Sequence, residues 1–380
     1  MQGKRIVFLG THGQHNIGDE LLLETFLIKL GRANRYFVNS YDPAFTEGQL
    51  RPRFDATVFH TANDRIPFLR HLLGCDLLFF GGGSIIKELY ASVGRNPYST
   101  LLMVLATVSF TNLIARKPVV MSNIGVGPLR TPRGRRLAGM ILRQVDLLSV
   151  RDRKSHQTCR DLGLPSDRVV LVPDAVFANP PEAFGGLPER PLPQGKGVRL
   201  ALNLNYDIEN PANWETFQQN LADTLKLLHR QTPLEIHGLS MQGKFKAQTD
   251  SKVLAEFRNR IPEIPVVLHD PVNHLEAAGV IRSCDLLVSE RLHALVMAAI
   301  LGVPSFALMY DVKVRELAGT LGLDDNSVDI NRPFDPEDVA RRIQLLREDS
   351  GAASARLLDR SAGLRRELDG YFAGLDRRFA

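Results

Sequence analysis

The stretch Cys284-Asp285-Leu286-Leu287-Val288-Ser289-Glu290-Arg291-Leu292-His293-Ala294-Leu295-Val296-Met297-Ala298-Ala299-Ile300-Leu301-Gly302-Val303-Pro304 decides the fold. Residues 286–288 are a short apolar run with the length of a buried strand. Residues 292–301 are helix formers with a broad apolar face; Gly302 stands where a helix C-cap belongs, and Pro304 prevents continuation. A second apolar run, 305–309, follows. Strand, turn, helix, strand is the repeating unit of a parallel sheet. The turn carries Glu290, Arg291 and His293. Charged groups at the carboxyl end of a parallel strand stand where open α/β sheets bind ligands.

The same alternation runs through the rest of the chain. Strands are expected at 6–9, 36–39, 77–80, 119–122, 147–150 and 169–172, with helices near 18–30, 97–114, 132–144 and 154–162. Residues 179–197 then concentrate proline and glycine and read as a linker. Beyond it, strands are expected at 198–204, 234–237, 266–268, 286–288 and 305–309, with helices between them. The fold class is therefore α/β, with two Rossmann-like domains facing a cleft. Residues 1–178 form the first, 198–330 the second, and 331–380 a helical tail that could pack back on the first. This arrangement resembles the glycosyltransferase B fold.

Composition excludes several classes. With 44% hydrophobic and 23% charged residues, the chain is ordinary for a globular protein. The net charge of +5 suits an anionic substrate, an anionic membrane surface or nucleic acid, and selects none of them. Three cysteines lie far apart with no CxxC spacing, so neither disulfides nor a structural zinc is expected. The apolar run 6–9 is too short for a signal-peptide core, and 101–114 is interrupted by polar residues and too short to span a bilayer. A cytoplasmic location follows as the expectation.

Six polar or glycine-rich segments lie at strand ends. The first runs from Gly10 through Asn16, Gly18, Asp19 and Glu20. Its glycines permit close backbone approach, and the helix start offers N–H groups to an anion; a plain helix cap by Asn16 or Asp19 is the other reading. Gly81-Gly82-Gly83-Ser84 is the second, with Ser84 placed to cap a following helix that carries Lys87 and Glu88 in its first turn. Asn123 to Pro128 is the third. Arg151 and Asp152 follow the next strand, and Arg151 carries the planar fork that suits carboxylate or phosphate. Asp174, after Pro173, could orient a basic group or a sugar hydroxyl, or serve only the turn. The fifth segment is the stretch quoted above; the sixth is Tyr310-Asp311-Val312-Lys313. Arg130, Arg133, Arg135, Arg136 and Arg143 make a basic helix, a solvated face or a rest for anionic lipid head groups.

Together, in this order, Asn16-Ile17-Gly18-Asp19-Glu20, Gly81-Gly82-Gly83, Val150-Arg151-Asp152, Pro173-Asp174, Arg291-Leu292-His293 and Tyr310-Asp311 with Lys313-Val314 resemble the polysaccharide pyruvyl transferase family. The best-fitting subgroup pyruvylates the secondary cell-wall polymer that anchors surface-layer proteins. The resemblance covers about residues 5–325. Val312 departs from it, because a proline is expected there in much of the family. The resemblance implies phosphoenolpyruvate as donor and co-substrate, no cofactor, and a pyruvate ketal as product. The acceptor it implies is an N-acetylmannosamine on a lipid diphosphate; that acceptor and the basic helix together suggest peripheral contact at the inner membrane surface. Nucleic acid is not an expected partner.

The residues suit that chemistry on their own terms. Phosphoenolpyruvate carries a carboxylate and a phosphate, so it calls for at least two cations; Arg151 and Arg291 are the natural pair and Lys313 a third. Ketal formation protonates the donor's methylene carbon and deprotonates a sugar hydroxyl, and a histidine, His293, can do both. The remaining substrate or phosphate ligands are expected among Asn16, Gly18, Asp19, Glu20, Gly81, Gly82, Gly83, Asp174, Glu290 and Tyr310, with no metal. Two other classes compete: a nucleotide-sugar glycosyltransferase of the same fold, and a non-catalytic binder of anionic glycan or lipid head groups.

Overall fold

The computed structural model describes all residues except Pro52, 90–95, 189–196, 207–209 and 244–247. It divides into two units. Unit 1 comprises Met1–Gln14, Asp19–Ala175 and Glu367–Ala380; unit 2 comprises His15–Gly18 and Val176–Arg366.

Unit 1 is built on β1 (Arg5–Leu9), β2 (Arg35–Ser40), β3 (Asp55–His60), β4 (Leu77–Gly81), β5 (Val119–Ile124), β6 (Leu147–Val150) and β7 (Val169–Leu171). All pair parallel, in the order β3-β2-β1-β4-β5-β6-β7. The order reverses between β1 and β4, so the loops after these two strands flank the topological switch point. Its helices are α1 (Ile17–Leu30), α2 (Pro43–Leu50), α3 (Arg65–Gly74), α4 (Ser99–Phe110), α5 (Pro132–Leu142) and α6 (Arg153–Asp161). A π-helical turn, Thr111–Ala115, prolongs α4. Leu72 of α3, Leu101 and Val108 of α4, and Ile141 of α5 pack with Leu78, Phe80 and Met121 of the sheet in one core. Across the sheet, Phe8 stacks on Phe79, and Phe26 packs tilted against the first and edge-on to the second.

Unit 2 repeats the plan. Its strands are β8 (Val198–Asn203), β9 (Leu234–Leu239), β10 (Val266–His269), β11 (Leu286–Ser289), β12 (Ser305–Met309) and β13 (Ser327–Asp329). They form a parallel sheet in the order β10-β9-β8-β11-β12-β13, with the switch point between β8 and β11. The helices are α7 (Trp214–Gln231), α8 (Asp250–Arg258), α9 (His274–Arg282), α10 (Leu292–Leu301), α11 (Val312–Leu321), α12 (Pro336–Glu348) and α13 (Ser350–Phe379). From Ala294 to Leu301, α10 is buried on every side, which explains its unbroken apolar sequence. Gly302 ends it in the left-handed conformation at φ 67°, and a Cβ there would come within 2.8 Å of Leu358.

The twin sequences Cys75-Asp76-Leu77-Leu78 and Cys284-Asp285-Leu286-Leu287 do the same work in each unit. Asp76 accepts the Arg5 N–H at 2.8 Å and donates its own N–H to the Arg5 carbonyl at 2.7 Å. Asp285 repeats this with Arg199, at 2.8 Å both ways. Each aspartate thus pins the first strand of its sheet to the strand across the switch point. The cysteines are free and buried, and burial pushes the Cys284 thiol up to about 12.

Some elements differ from expectation. β3, β13, α2 and α3 are additional. No helix follows Gly83 directly; Ile86 instead bridges Val126 in parallel, so Ser84 caps nothing there. Residues 189–196 of the expected linker lie outside the described residues. The part before them is packed: Phe184 is buried edge-on to His274, and Arg282 donates to the Gly185 carbonyl. Residues 367–380 belong to unit 1. There the Tyr371 hydroxyl bonds Ser122 and Ser149, each at 2.8 Å, and Phe372 lies against Phe26.

Candidate functional site

In unit 2 the site grows from the ends of β8, β9 and β11. β8 ends at Asn203, whose side-chain oxygen accepts the Arg291 N–H at 3.1 Å and the Ser289 hydroxyl at 3.2 Å. That bonding fixes the turn between β11 and α10. Arg291 then reaches Asp250, at the start of α8, with Nε at 3.1 Å and Nη2 at 2.5 Å, a planar two-point pair. Asp250 is 1% exposed and also accepts from Met241 N and Asn203 Nδ2. Glu290, fully buried, accepts from Asn205 at 2.8 Å.

His293 is half-buried in the first turn of α10. Its seat is Gly18. A Cβ on Gly18 would lie 1.9 Å from the His293 Nδ1, so no larger residue leaves the imidazole where it is. The segment carrying Gly18 is held by the loop after β9: Ile17 N bonds the Met241 carbonyl at 3.0 Å, Gly243 N the His15 carbonyl at 2.8 Å, and Asn16 the Gln242 side chain at 2.9 Å. The structure therefore brings Asn16, Gly18, Glu290, Arg291 and His293 together. Lys313 is the second residue of α11, and Tyr310 is half-buried beside the unit 2 core. Val312 takes the first helical position, where proline also fits, so its departure leaves a regular helix start.

Unit 1 holds the other expected residues. Arg151, directly after β6, pairs with Asp174 at 3.1 Å; both side chains are more than nine-tenths buried. Of the readings of Asp174, the structure realises the one in which it orients a basic group. Arg151 Nε is buried without an acceptor. Asp152 caps α6 through Ser155 N at 2.6 Å, and the Ser155 hydroxyl holds Val126 N. Asn123, in the left-handed conformation, ties β5 to the Asp174 turn by bonds to the Pro173 carbonyl and Ala175 N–H. Gly81 makes room for Phe8, Gly82 lies on Leu22, and Gly83 faces Thr11, whose hydroxyl bonds Asp19 at 3.2 Å.

Glu20 has a different role from the ligand expected of it. Its carboxyl is buried and accepts the Gly13 N–H at 2.6 Å, bracing the loop after β1. Burial pushes it up to about 8, against the Gly13 bond, with Asp19 and Asp42 adding to the rise. His12 beside Phe8 is also buried, and burial pushes its imidazole down to about 3. Glu20 binds its proton in the folded chain and has lost it in the unfolded one from its ordinary value to about 8, so stability falls as pH rises through that window. His12 acts oppositely, but only below its ordinary 6.5. From pH 6.5 to 8 the Glu20 effect is expected to cost about 2 kcal/mol. Glu20→Gln should flatten that fall in denaturant melts; equal slopes for the two proteins would remove the assignment.

A model of the polysaccharide pyruvyl transferase family matches residues 16–312. The chain belongs to that family. One curated family relative is the amylovoran biosynthesis protein AmsJ of Erwinia amylovora, 19% identical over 272 residues. That match takes in 68% of this chain and 63% of AmsJ, so the chain spans less than two thirds of its relative. Among solved structures, HepE of Anabaena in complex with UDP is similar, at TM-score 0.62 and 16% identity, over 100% of this chain and 98% of that one. The glycotransferase of kitacinnamycin follows at TM-score 0.55 and 16% identity, over 100% and 98%. These likenesses show the fold: two Rossmann-like domains of the glycosyltransferase B type, with a C-terminal helix. Within this pyruvyl transferase family member, sequence reasoning missed Asp250, Asn203 and Asn205. Asn203 ends the first strand of unit 2 and Asn205 follows it, at the switch point, and that position was the available signal. Asp250 lies in a stretch without apolar period and offered none. Among the described residues, no three His, Cys, Asp or Glu side chains gather to hold a metal ion.

Proposed function

We propose that this protein transfers the pyruvyl group of phosphoenolpyruvate to two hydroxyls of a sugar, forming a pyruvate ketal and releasing phosphate. The acceptor is N-acetylmannosamine on a lipid-diphosphate precursor of a cell-wall polysaccharide, of the kind that anchors surface layers, and the location is cytoplasmic. Family membership supports the reaction class, and one contact carries the assignment of its centre. Gly18, from the first motif, seats the imidazole of His293, from the fifth.

In this reading His293 gives a proton to the donor's methylene carbon, which becomes a methyl group. A sugar hydroxyl attacks C2, and His293 takes a proton back. The C2–O bond to phosphate breaks, phosphate leaves, and the second hydroxyl adds to C2 and closes the ring, its proton passing to the departing phosphate. Arg151, Arg291 and Lys313 serve the donor's carboxylate and phosphate. The aspartates make the two arginines less available as bare cations, and their gain is orientation: a guanidinium fixed by a carboxylate presents its remaining edge in one direction. The unsatisfied Nε of Arg151 is the kind of buried donor that a bound anion completes. The first turn of α10 adds a positive dipole end beside His293.

The test is incubation with phosphoenolpyruvate and lipid-linked or nitrophenyl-sugar acceptors, following phosphate release and the mass gain of the acceptor. Acceptor-dependent phosphate release with pyruvate addition is expected. Turnover with a nucleotide sugar instead would sink the proposal and assign the chain to the glycosyltransferase class. Binding of glycan without turnover of either donor would assign it to the non-catalytic class.

A further inference from the structure

We propose that one helical face of unit 1 rests on an anionic bilayer surface. The inference is independent of the pyruvyl-transfer reading. Four helices, α3, α4 with its π-helical turn, α5 and α6, cover one side of the seven-stranded sheet, and the first three form the face in question. They are neighbours, α4 packing on α5 and α3 on the π-helical turn. Their inner residues fill one core, but their outer residues are not those of a water-facing layer. Leu113 is 72% exposed, Ile66 66%, Ile114 63%, Leu73 52% and Met103 50%. Among the described residues, eight of the seventeen exposed large hydrophobic side chains fall on these elements, about a tenth of the chain. Single exposed leucines are ordinary; such a concentration marks a contact surface.

Charge identifies the partner. Residues 65–74, 99–117 and 130–143 contain nine arginines and lysines and no aspartate or glutamate. The whole chain carries only +5, so everything outside these segments is net negative. Arg65, Arg70, Arg116 and Arg136 are exposed, and Arg116 follows directly on the turn that presents Leu113 and Ile114. Aliphatic side chains beside arginines, with no carboxylate inside the three segments and Asp64 at the start of α3, match the boundary between acyl chains and anionic head groups. A second copy fits poorly, since a two-fold contact sets each patch against its own like charge. Among the described residues no helix is long and apolar enough to cross a membrane, so the contact lies on the surface. The basic helix α5 is thus one edge of a broader face, and α3 and the α4 extension supply its apolar part.

Flotation of the full chain with vesicles tests this. Vesicles of phosphatidylcholine mixed with phosphatidylglycerol should carry the protein up, those of phosphatidylcholine alone should not, and added salt should weaken the binding. The double variant Leu113→Glu with Ile114→Glu should lose at least about tenfold in vesicle affinity. These positions are exposed, so its thermal midpoint should match the wild type. Leu345→Glu, 49% exposed on α12, should bind as wild type. Equal binding to both vesicle types, or full affinity in the double variant, overturns the proposal. So does a wild-type dimer in light scattering that the double variant turns to monomer, which would give the face to a second copy.

Discussion

His293→Ala is expected to lower phosphate release from phosphoenolpyruvate by about 10²–10⁴-fold, the usual contribution of one positioned acid–base group. Its thermal midpoint should stay close to wild type, because the imidazole is half-buried and fills no core space. Loss of activity alone would not separate proton transfer from general damage to the turn. Gly18→Ala makes that separation. Gly18 has an ordinary backbone conformation, so alanine brings no strain there and is the better helix former. Its cost is steric, a Cβ 1.9 Å from His293 Nδ1 and 2.9 Å from the His293 Cβ. The imidazole must leave its seat, so activity should fall sharply while stability holds. In the His293→Ala background the ring is gone and only the 2.9 Å approach to the Cβ of residue 293 remains, so the same substitution should cost far less there. That non-additivity is the sign of two residues acting through one group. If Gly18→Ala is harmless in the wild type, or equally harmful in both backgrounds, His293 is not the centre of the chemistry.

How much of this could be read beforehand varies by element. Residues 286–309 were legible because three local signals agree: a short buried run, a helical apolar block and a glycine–proline stop. Short buried apolar runs placed eleven of the thirteen strands. β3 escaped because Asp55-Ala56-Thr57-Val58-Phe59-His60 is an edge strand in which only Phe59 is buried, so little apolar pattern is required of it. The helix anticipated after Gly83 failed for a tertiary reason. Gly125 N bonds the Gly83 carbonyl at 2.8 Å, Gly127 N bonds the Ile86 carbonyl at 2.7 Å, and these claims on the backbone outweigh local helix preference.

The site was legible residue by residue and illegible as an arrangement. Arg151 and Arg291 stood out as cations at strand ends. Asp174 was readable as an orienting group but not as the partner of Arg151, and nothing local pointed to Asp250, because the two aspartates lie 23 and 41 positions from their arginines. Glu20 looked like part of a ligand loop because a motif does not separate side chains that touch a ligand from those that brace the backbone. Its bond to Gly13 and its burial make it a brace.

Asp250→Ala is expected to be the most destabilising of the substitutions considered. The carboxylate, itself buried, accepts from Met241 N and Asn203 in the interior and twice from the partly buried Arg291. Removing it strands a guanidinium that is mostly shielded from water, at up to about 3–5 kcal/mol. For a unit of this size that lowers the melting midpoint by roughly 6–20 °C. Stability alone leaves open whether Arg291 is present for the donor or only for Asp250. Replacing both partners, Asp250→Leu with Arg291→Met, removes the stranded charge and should recover most of the lost midpoint. Activity should not return with it, because the donor's anionic groups still lack their cation. The midpoint and the KM for phosphoenolpyruvate therefore move apart in the double variant if Arg291 binds the donor. Should both return together, Arg291 is a structural partner of Asp250, and the donor's second cation must be sought at Lys313.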